Sequence, residues 1–470
     1  MAGEGVTRPT SRPNIVLIVS DDHGYGDFGR LGVHEGVRTP HLDRLASQSV
    51  ACTDAYVTAP ICSPSRAGLI SGCYQQRWGS TWFGDSRFPD HLPTLAERLA
   101  ELGYATGYFG KVHYGPEQAG DRACPPNHGF TESFYGLAGQ QQGRLNYLRH
   151  SKAAVAEYGP EASQRMAVLP LYDGQEEVEY EGFLTAELGR RASDFVARHE
   201  HEPFFAMVAF NAVHNFCFQL PDHELGRRGL PRFGDWDSAV SGYDAWYEDV
   251  IWPNLPHGRA YYLAQLELMD AEIGRILDEL DRRGLTDETI VVYLTDNGGS
   301  TCNFGDNTPL RGGKYTLYEG GIRVPFLVRW PAGGVPAAVE RAGLVSAMDL
   351  VPTLVGAAGG TDPMPAVDGV NQLPLLRGQG ESGHESLHWD CGFQWAARSG
   401  GWKLRWVDGL DPRVDRLRRG EHVDVGTGLV LYDLHDDAGE TRDLAGRHPQ
   451  VVAELTARHA RWQREVGLRP

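Results

Sequence analysis

Cys62-Ser63-Pro64-Ser65-Arg66 joins a nucleophilic side chain to a proline two residues on and a fixed positive charge beyond it. Ser63 can cap a helix, Pro64 suits the first helical position, and Gly72 can end the helix after Ser71. The exposed N–H groups of such a start favour an anion, and Arg66 adds a planar fork of donors one turn in. A nucleophile beside an anion site is a catalytic arrangement. A buried structural cysteine next to a turn is the other reading of the same five residues.

The remaining chemistry-bearing residues fall where strands should end. Short apolar runs at Asn14 to Val19, Tyr104 to Phe109, Phe204 to Phe210, Thr289 to Thr295 and Val324 to Trp330 read as buried parallel strands. Asp21 and Asp22 follow the first run, Lys111 and His113 the second, His214 the third, and Asp296 and Asn297 the fourth. In open α/β sheets, ligands bind outside the carboxyl ends of the strands. Asp21, Asp22, Asp296 and Asn297 offer only oxygen atoms, which suits a hard cation, Ca²⁺ or Mg²⁺, over zinc. Taken singly, each is an ordinary turn residue. Arg66, Lys111 and Lys314 can surround one anion, with Gly312-Gly313 before Lys314 allowing close backbone approach. His113 and His214 can carry protons near neutrality.

Helical patterns lie between the runs. Leu92, Leu95, Leu99 and Leu102 keep helical spacing, as do Leu263, Leu266, Met269, Ile273, Ile276, Leu277 and Leu280, ending near Gly284. Alternating strands and helices give an α/β class: a large, mostly parallel sheet flanked by helices over residues 1–360. Polar or aromatic excursions are expected over Leu137–Gly182 and Asn215–Gly258. After about Gly356, prolines and glycines (Pro363, Pro365, Pro374) lead to a smaller α+β subdomain over 361–470. Its strand-like pieces are Glu385 to Trp389, Trp395 to Val407 and Leu429 to Leu434, and its last helix runs from about Pro449 to Val466.

The chain has 470 residues and a net charge of -18. That acidity argues against nucleic acid or an anionic membrane as a partner, while leaving room for a local basic pocket. No run has the length of a membrane span. The first apolar run is too short for a signal-peptide core, so the sequence reads as cytoplasmic, or as lacking its export signal. Seven cysteines form no zinc-type pair and no disulfide framework.

Together these residues resemble the type I, formylglycine-dependent sulfatases of the alkaline phosphatase-like superfamily. Cys62 to Arg66, followed by Ala67-Gly68-Leu69, is similar to the family's Cys-x-Pro-Ser-Arg signature. Asn14 to Asp22, Gly110-Lys111-Val112-His113, Tyr293 to Gly298, Pro309 to Lys314 and Tyr318 to Pro325 resemble further family elements in family order. The resemblance implies oxidation of Cys62 to formylglycine by a separate maturation enzyme. One hydroxyl of the hydrated aldehyde, held by Arg66 and a divalent cation on Asp21, Asp22, Asp296 and Asn297, would attack sulfur. Lys111, Lys314 and His214 would bind sulfate and neutralise the leaving oxygen, with His214 or Lys314 as general acid. His113 would take the second hydroxyl's proton, expelling sulfate. The cation would be Ca²⁺, with Mg²⁺ the alternative.

Val112, Tyr114, Val213 and Tyr315 depart from the residues usual in the family, which bears on substrate shape rather than reaction. No serine is carried over at Leu137-Ala138-Gly139-Gln140. Trp78, Trp82, Phe83, Trp236, Tyr243, Trp246, Tyr247 and Trp252 could stack on sugar or aryl groups, or simply pack long loops. The expected substrate is a sulfate monoester of a carbohydrate. An aryl sulfate, a phosphonate or phosphate ester at the same site, and non-catalytic Ca²⁺ or glycan binding are the competing readings.

Overall fold

The computed structural model describes residues 12–83, 85–137, 171–180, 182–214, 216–234, 239–246, 249–250, 254–361, 367–420 and 423–468. The strands are β1 (Asn14–Ser20), β2 (Val50–Cys52), β3 (Ala55–Tyr56), β4 (Ala105–Lys111), β5 (Glu132–Gly136), β6 (Leu171–Asp173), β7 (Glu176–Val178) and β8 (Phe204–Ala209). They continue as β9 (Thr289–Thr295), β10 (Phe326–Arg329), β11 (Val339–Arg341), β12 (Val345–Ser346), β13 (Leu387–Asp390), β14 (Gln394–Ser399), β15 (Trp402–Val407) and β16 (Gly428–Asp433). Ten form one sheet in the order β11-β2-β10-β9-β1-β8-β4-β5-β6-β7. Its centre, β9-β1-β8-β4-β5, is parallel throughout.

The Val324–Trp330 run does not join that parallel set: β10 lies antiparallel to both β9 and β2. An apolar run reports burial, not direction. The chain leaves β9 and returns without a crossover helix, so it re-enters the sheet running the other way.

Both faces of the sheet are covered, which is why its strands read as continuous apolar runs. Ile15, Leu17 and Val19 pack on one side with Leu69 and Ile70 of α2 (Cys62–Ser71), Leu95 and Leu99 of α3 (Leu95–Glu101), and Leu350 and Leu354 further along. Val16 and Ile18 face the other side, against Leu188 and Phe195 of α4 (Leu184–Arg198) and Leu266, Ile273 and Ile276 of α5 (Gly258–Arg282). The period of two is the alternation of a strand. The Thr94–Glu97 capping box starts α3, so Leu92 precedes that helix rather than belonging to it.

β13 to β16 form a separate antiparallel sheet in sequence order. The expected single piece Trp395–Val407 is a hairpin instead, turning at Gly400, whose φ is 55°. The helix α6 (Pro449–Glu465) lies near this sheet, with the His459 ring stacked on Trp395. Trp389, Phe393 and Ala396 also enter the apolar cluster beneath the large sheet, so the two sheets share a core. All seven cysteines are buried and free. No described helix is long and apolar enough to cross a membrane. Residues 138–170 and 181 of the first expected excursion, Trp236, Tyr247 and Trp252 of the second, and Pro363 and Pro365 lie outside the described residues.

Candidate active site

β1 is flanked by β9 and β8, with β4 next beyond β8, so the carboxyl ends of four parallel strands meet at one edge. Asp21 and Asp22 leave β1, Asp296 and Asn297 leave β9, Lys111 ends β4, and His214 follows β8. Backbone bonds carry the pairing past the strands: Asp296 N–H donates to Ser20 O at 3.1 Å and Val213 N–H to Asp21 O at 2.7 Å. Asp22 and His113 then take left-handed backbone, φ 56° and 63°. Such conformations persist in side-chain-bearing residues only where the surroundings enforce them.

Cys62 is the first residue of α2, with Ile61 rather than Ser63 at the cap position. The Ser63 hydroxyl is buried without a hydrogen-bond partner. Pro64 is therefore the third helical residue, where its missing N–H still costs nothing because first-turn N–H groups have no intrahelical acceptor. This start brings the Cys62 thiol to 3.6 Å from Asp21 Oδ1. One turn later, Arg66 donates from Nε to Asp296 Oδ2 at 2.7 Å and from one terminal nitrogen to Lys111 O at 3.2 Å. Its other terminal nitrogen is buried without a hydrogen bond, 3.5 Å from Asp21 Oδ2.

Lys111 Nζ donates to Asp21 Oδ2. Lys314 Nζ donates to Asp22 Oδ2 at 2.8 Å and lies 3.1 Å from His214 Nε2, which is itself 3.6 Å from Asp22 Oδ2. Asn297 Nδ2 donates to Asp22 Oδ1 at 2.7 Å. The His113 ring lies parallel to Phe83 at 6.3 Å, and its Nδ1 is buried without a partner. Thus every site residue expected from the sequence lies in one buried cluster.

Several contributors gave no clear sequence signal. Glu117 accepts from the N–H groups of His113 (2.8 Å) and Tyr114 (3.1 Å), clamping the turn that aims His113. Asn303 Nδ2 donates to Asp22 Oδ2 at 3.1 Å. Asn307 bonds Gly299 in both directions at 2.9 Å and reaches Gly312 O, bracing the loop that carries Lys314. Gly298 is required there, because an added Cβ would fall 1.7 Å from Gly320 O. Each looks like an ordinary loop residue until its partner is known.

Burial, reinforced by Asp296, raises the Asp21 carboxyl to about 7 despite Lys111 and Arg66. Burial would raise Asp296 as well, but Arg66, Lys111 and Lys314 hold it below its ordinary value. Burial and then Lys111, Arg66 and Lys314 push His113 well below the ordinary imidazole value, leaving it neutral. Burial lifts the Cys62 thiol well above its usual range, so the unmodified side chain is a poor thiolate nucleophile.

The site fits a divalent cation. Asn297 Oδ1 is buried without a hydrogen-bond partner among the described residues, while its nitrogen donates to Asp22 Oδ1 and the Asp22 N–H donates to Asp296 Oδ1. Ligand atoms of Asp21, Asp22, Cys62 and His214 lie within 4.8 Å of one another.

A parallel sheet carrying such carboxylates, a helix-start nucleophile and a ring of cations at its carboxyl edge is an arrangement suited to hydrolysing esters of tetrahedral anions. The family called Sulfatase matches residues 13–360. The chain is 32% identical to arylsulfatase A of Homo sapiens, over 97% of the chain and 88% of that protein. It is 29% identical to N-acetylgalactosamine-6-O-sulfatase of Bacteroides thetaiotaomicron, over 95% and 92%. The crystal structure of Ps i-CgsB in complex with k-i-k-neocarrahexaose superposes with a TM-score of 0.77 at 26% identity, covering 96% of this chain and 93% of that one. The chain belongs to the sulfatase family and is a sulfuric ester hydrolase.

Proposed function

We propose that the protein removes sulfate from a carbohydrate sulfate monoester, using formylglycine made from Cys62 by a maturation enzyme and one bound divalent cation, Ca²⁺ ahead of Mg²⁺. The carrying observation is the burial of Cys62 against Asp21 within reach of Arg66, Lys111 and Lys314. The carbohydrate assignment is supported by the relatives named for N-acetylgalactosamine sulfate and bound to neocarrahexaose.

Asp21, Asp22, Asp296 and Asn297 would hold the cation. Bound there, the cation would polarise a sulfate oxygen, and formylglycine at position 62, once hydrated, would supply the attacking oxygen. Lys111, Lys314 and the unbonded nitrogen of Arg66 bind the remaining sulfate oxygens, where preorganised charge in a dry site acts strongly. Lys314 Nζ and His214 Nε2 lie side by side, and the proton for the departing alcohol comes from one of them. His113, held neutral and with Nδ1 unbonded, accepts the proton whose removal lets sulfate leave. Three buried carboxylates face the buried charges of Arg66, Lys111 and Lys314, so a divalent cation would leave the site net positive and a singly charged sulfate ester would cancel half of that added charge.

The test is sulfate release from a panel of sulfated mono- and disaccharides, phenyl sulfate and a phosphonate ester, using protein made with a formylglycine-generating enzyme. The carbohydrate sulfates should turn over fastest, and the Cys62 peptide should carry the aldehyde mass. Faster phosphonate turnover would reverse the substrate assignment. Full activity with an unmodified thiol would remove formylglycine from the mechanism.

A further inference from the structure

Tyr315 immediately follows Lys314 and has a φ of 74°. A bulky residue there is strained, and glycine would not be. The strain is held from both sides. Tyr315 N–H donates to Pro60 O at 2.7 Å, and its carbonyl accepts from Gln394 Nε2 of β14 at 2.7 Å. A strained residue retained beside a reacting group is a sign that its side chain is used there.

The placement of the ring shows the use. Lys314 Nζ lies 5.4 Å from its centroid, Phe83 5.9 Å and Trp82 6.1 Å. Phe83 in turn lies parallel to the His113 ring. Lys314 and His113 are buried, whereas Tyr315, Phe83 and Trp82 are half-buried. The three rings therefore stand between the sulfate-binding groups and solvent, where the alcohol part of an ester must lie. Trp82 also packs edge-on against Phe393 at 5.0 Å, which ties this wall to the small sheet.

We propose that Tyr315 is a specificity-determining residue that, with Phe83 packed edge-on against it, forms one aromatic wall of a slot for a six-membered ring, sugar or aryl, attached to the sulfate. The inference rests on the sulfatase reading above and adds the shape of the leaving group to it. Aromatic faces pack well against the C–H face of a pyranose and against another ring, and gain little from a short flexible chain.

The experiment compares phenyl sulfate, glucose 6-sulfate and ethyl sulfate with the wild type, Tyr315→Gly and Tyr315→Phe. Glycine is at ease at this φ, so Tyr315→Gly should fold. Any shift of Lys314 slows all three esters and cancels in a ratio of kcat/KM values. The ratio of either ring ester to ethyl sulfate should fall about tenfold in Tyr315→Gly and hold in Tyr315→Phe. An unchanged ratio in Tyr315→Gly overturns the slot and leaves Tyr315 as loop packing. The same ratio read as Kd by calorimetry, in the Cys62→Ala background, decides the slot without turnover. A wild type that releases no sulfate would overturn the reaction while the Kd ratio still decides the slot.

Discussion

Lys314 and Glu319 share one loop, and each belongs to a buried cluster of charges. Around Lys314 the cluster is poorly satisfied. Asn297 Oδ1 and His113 Nδ1 have no hydrogen-bond partner, the Asp21 carboxyl is lifted to about 7, and Asp22 and His113 hold strained backbone. Around Glu319 the charges answer one another, although Glu440 also holds left-handed backbone, φ 51°, and a raised carboxyl, its Oε1 being met by the Lys403 ion pair. The Glu319 carboxylate accepts from Tyr56 at 2.7 Å and Lys403 at 2.9 Å, and Lys403 also meets Glu440 at 3.0 Å. Lys403 comes from β15, so this second cluster pins the small sheet to the loop. Buried charge alone therefore does not mark an active site; polar valences left open to a ligand do.

Four tests of that contrast run from large effect to small. Removing the nucleophile is the most severe: Cys62→Ala should lower sulfate release by about 10⁴-fold or more. The thermal midpoint should stay near that of the wild type, because the change removes one sulfur atom and its 3.6 Å hydrogen bond to Asp21. A collapse of stability together with activity would mean that Cys62 is structural.

The two lysines should then separate. Lys314→Ala should cost about 10²- to 10³-fold in kcat and, in saturating Ca²⁺, lose little stability, because the cation and Asn297 still answer Asp22. Lys403→Met strands Glu319 and Glu440 and should destabilise the fold by about 3 kcal/mol in urea titrations. Its kcat should change far less than that of Lys314→Ala, provided it is measured well below the melting temperature. Equal effects of the two substitutions on both readouts would erase the distinction between site and seam.

Cation binding should act on one cluster only. Ca²⁺ at about a hundredfold over its Kd should stabilise the protein by about 2.7 kcal/mol. Asp22→Asn should abolish that gain and Glu440→Gln should keep it. Chelation should remove activity, with Ca²⁺ restoring more of it than Mg²⁺.

The strand ends of the site were legible because an apolar run reports a buried strand, and the residue after it sits at the sheet edge. That is how Asp21, Asp22, Lys111 and Asp296 could be placed. Direction was not legible: β10 looks like its parallel neighbours in composition and runs against them. The start of α2 was misplaced because Ser63 and Pro64 fit cap rules that the long-range placement of Cys62 overrides. Asn303 and Gln394 act on groups brought near only by folding, so nothing local distinguishes them from solvated polar residues, whereas Glu117 bonds backbone only three and four residues away but has the look of an ordinary turn residue. The Lys403–Glu319 seam was likewise hidden because only folding brings it together, whereas the hairpin carries a local signal in its two-residue Gly400-Gly401 turn.

The smallest effect separates Glu440 from its neighbours. Burial raises its carboxyl above the ordinary glutamate value of 4.5, more than Lys403 lowers it. A carboxyl raised in the folded state binds its proton more tightly there than in the unfolded chain. Its contribution to stability is complete below pH 4.5 and is lost as the pH climbs through the folded value. Glu440→Gln removes that loss and leaves an oxygen for the Glu319 N–H, which now donates to Glu440 Oε2. The melting temperature of the variant minus that of the wild type, followed by calorimetry, should therefore grow as the pH rises from 4.5. A difference that shrinks instead would mean that Lys403 stabilises the Glu440 carboxylate outright. The seam would then be a strong ion pair rather than a mutually tolerated one, and the contrast with the Lys314 cluster would be larger.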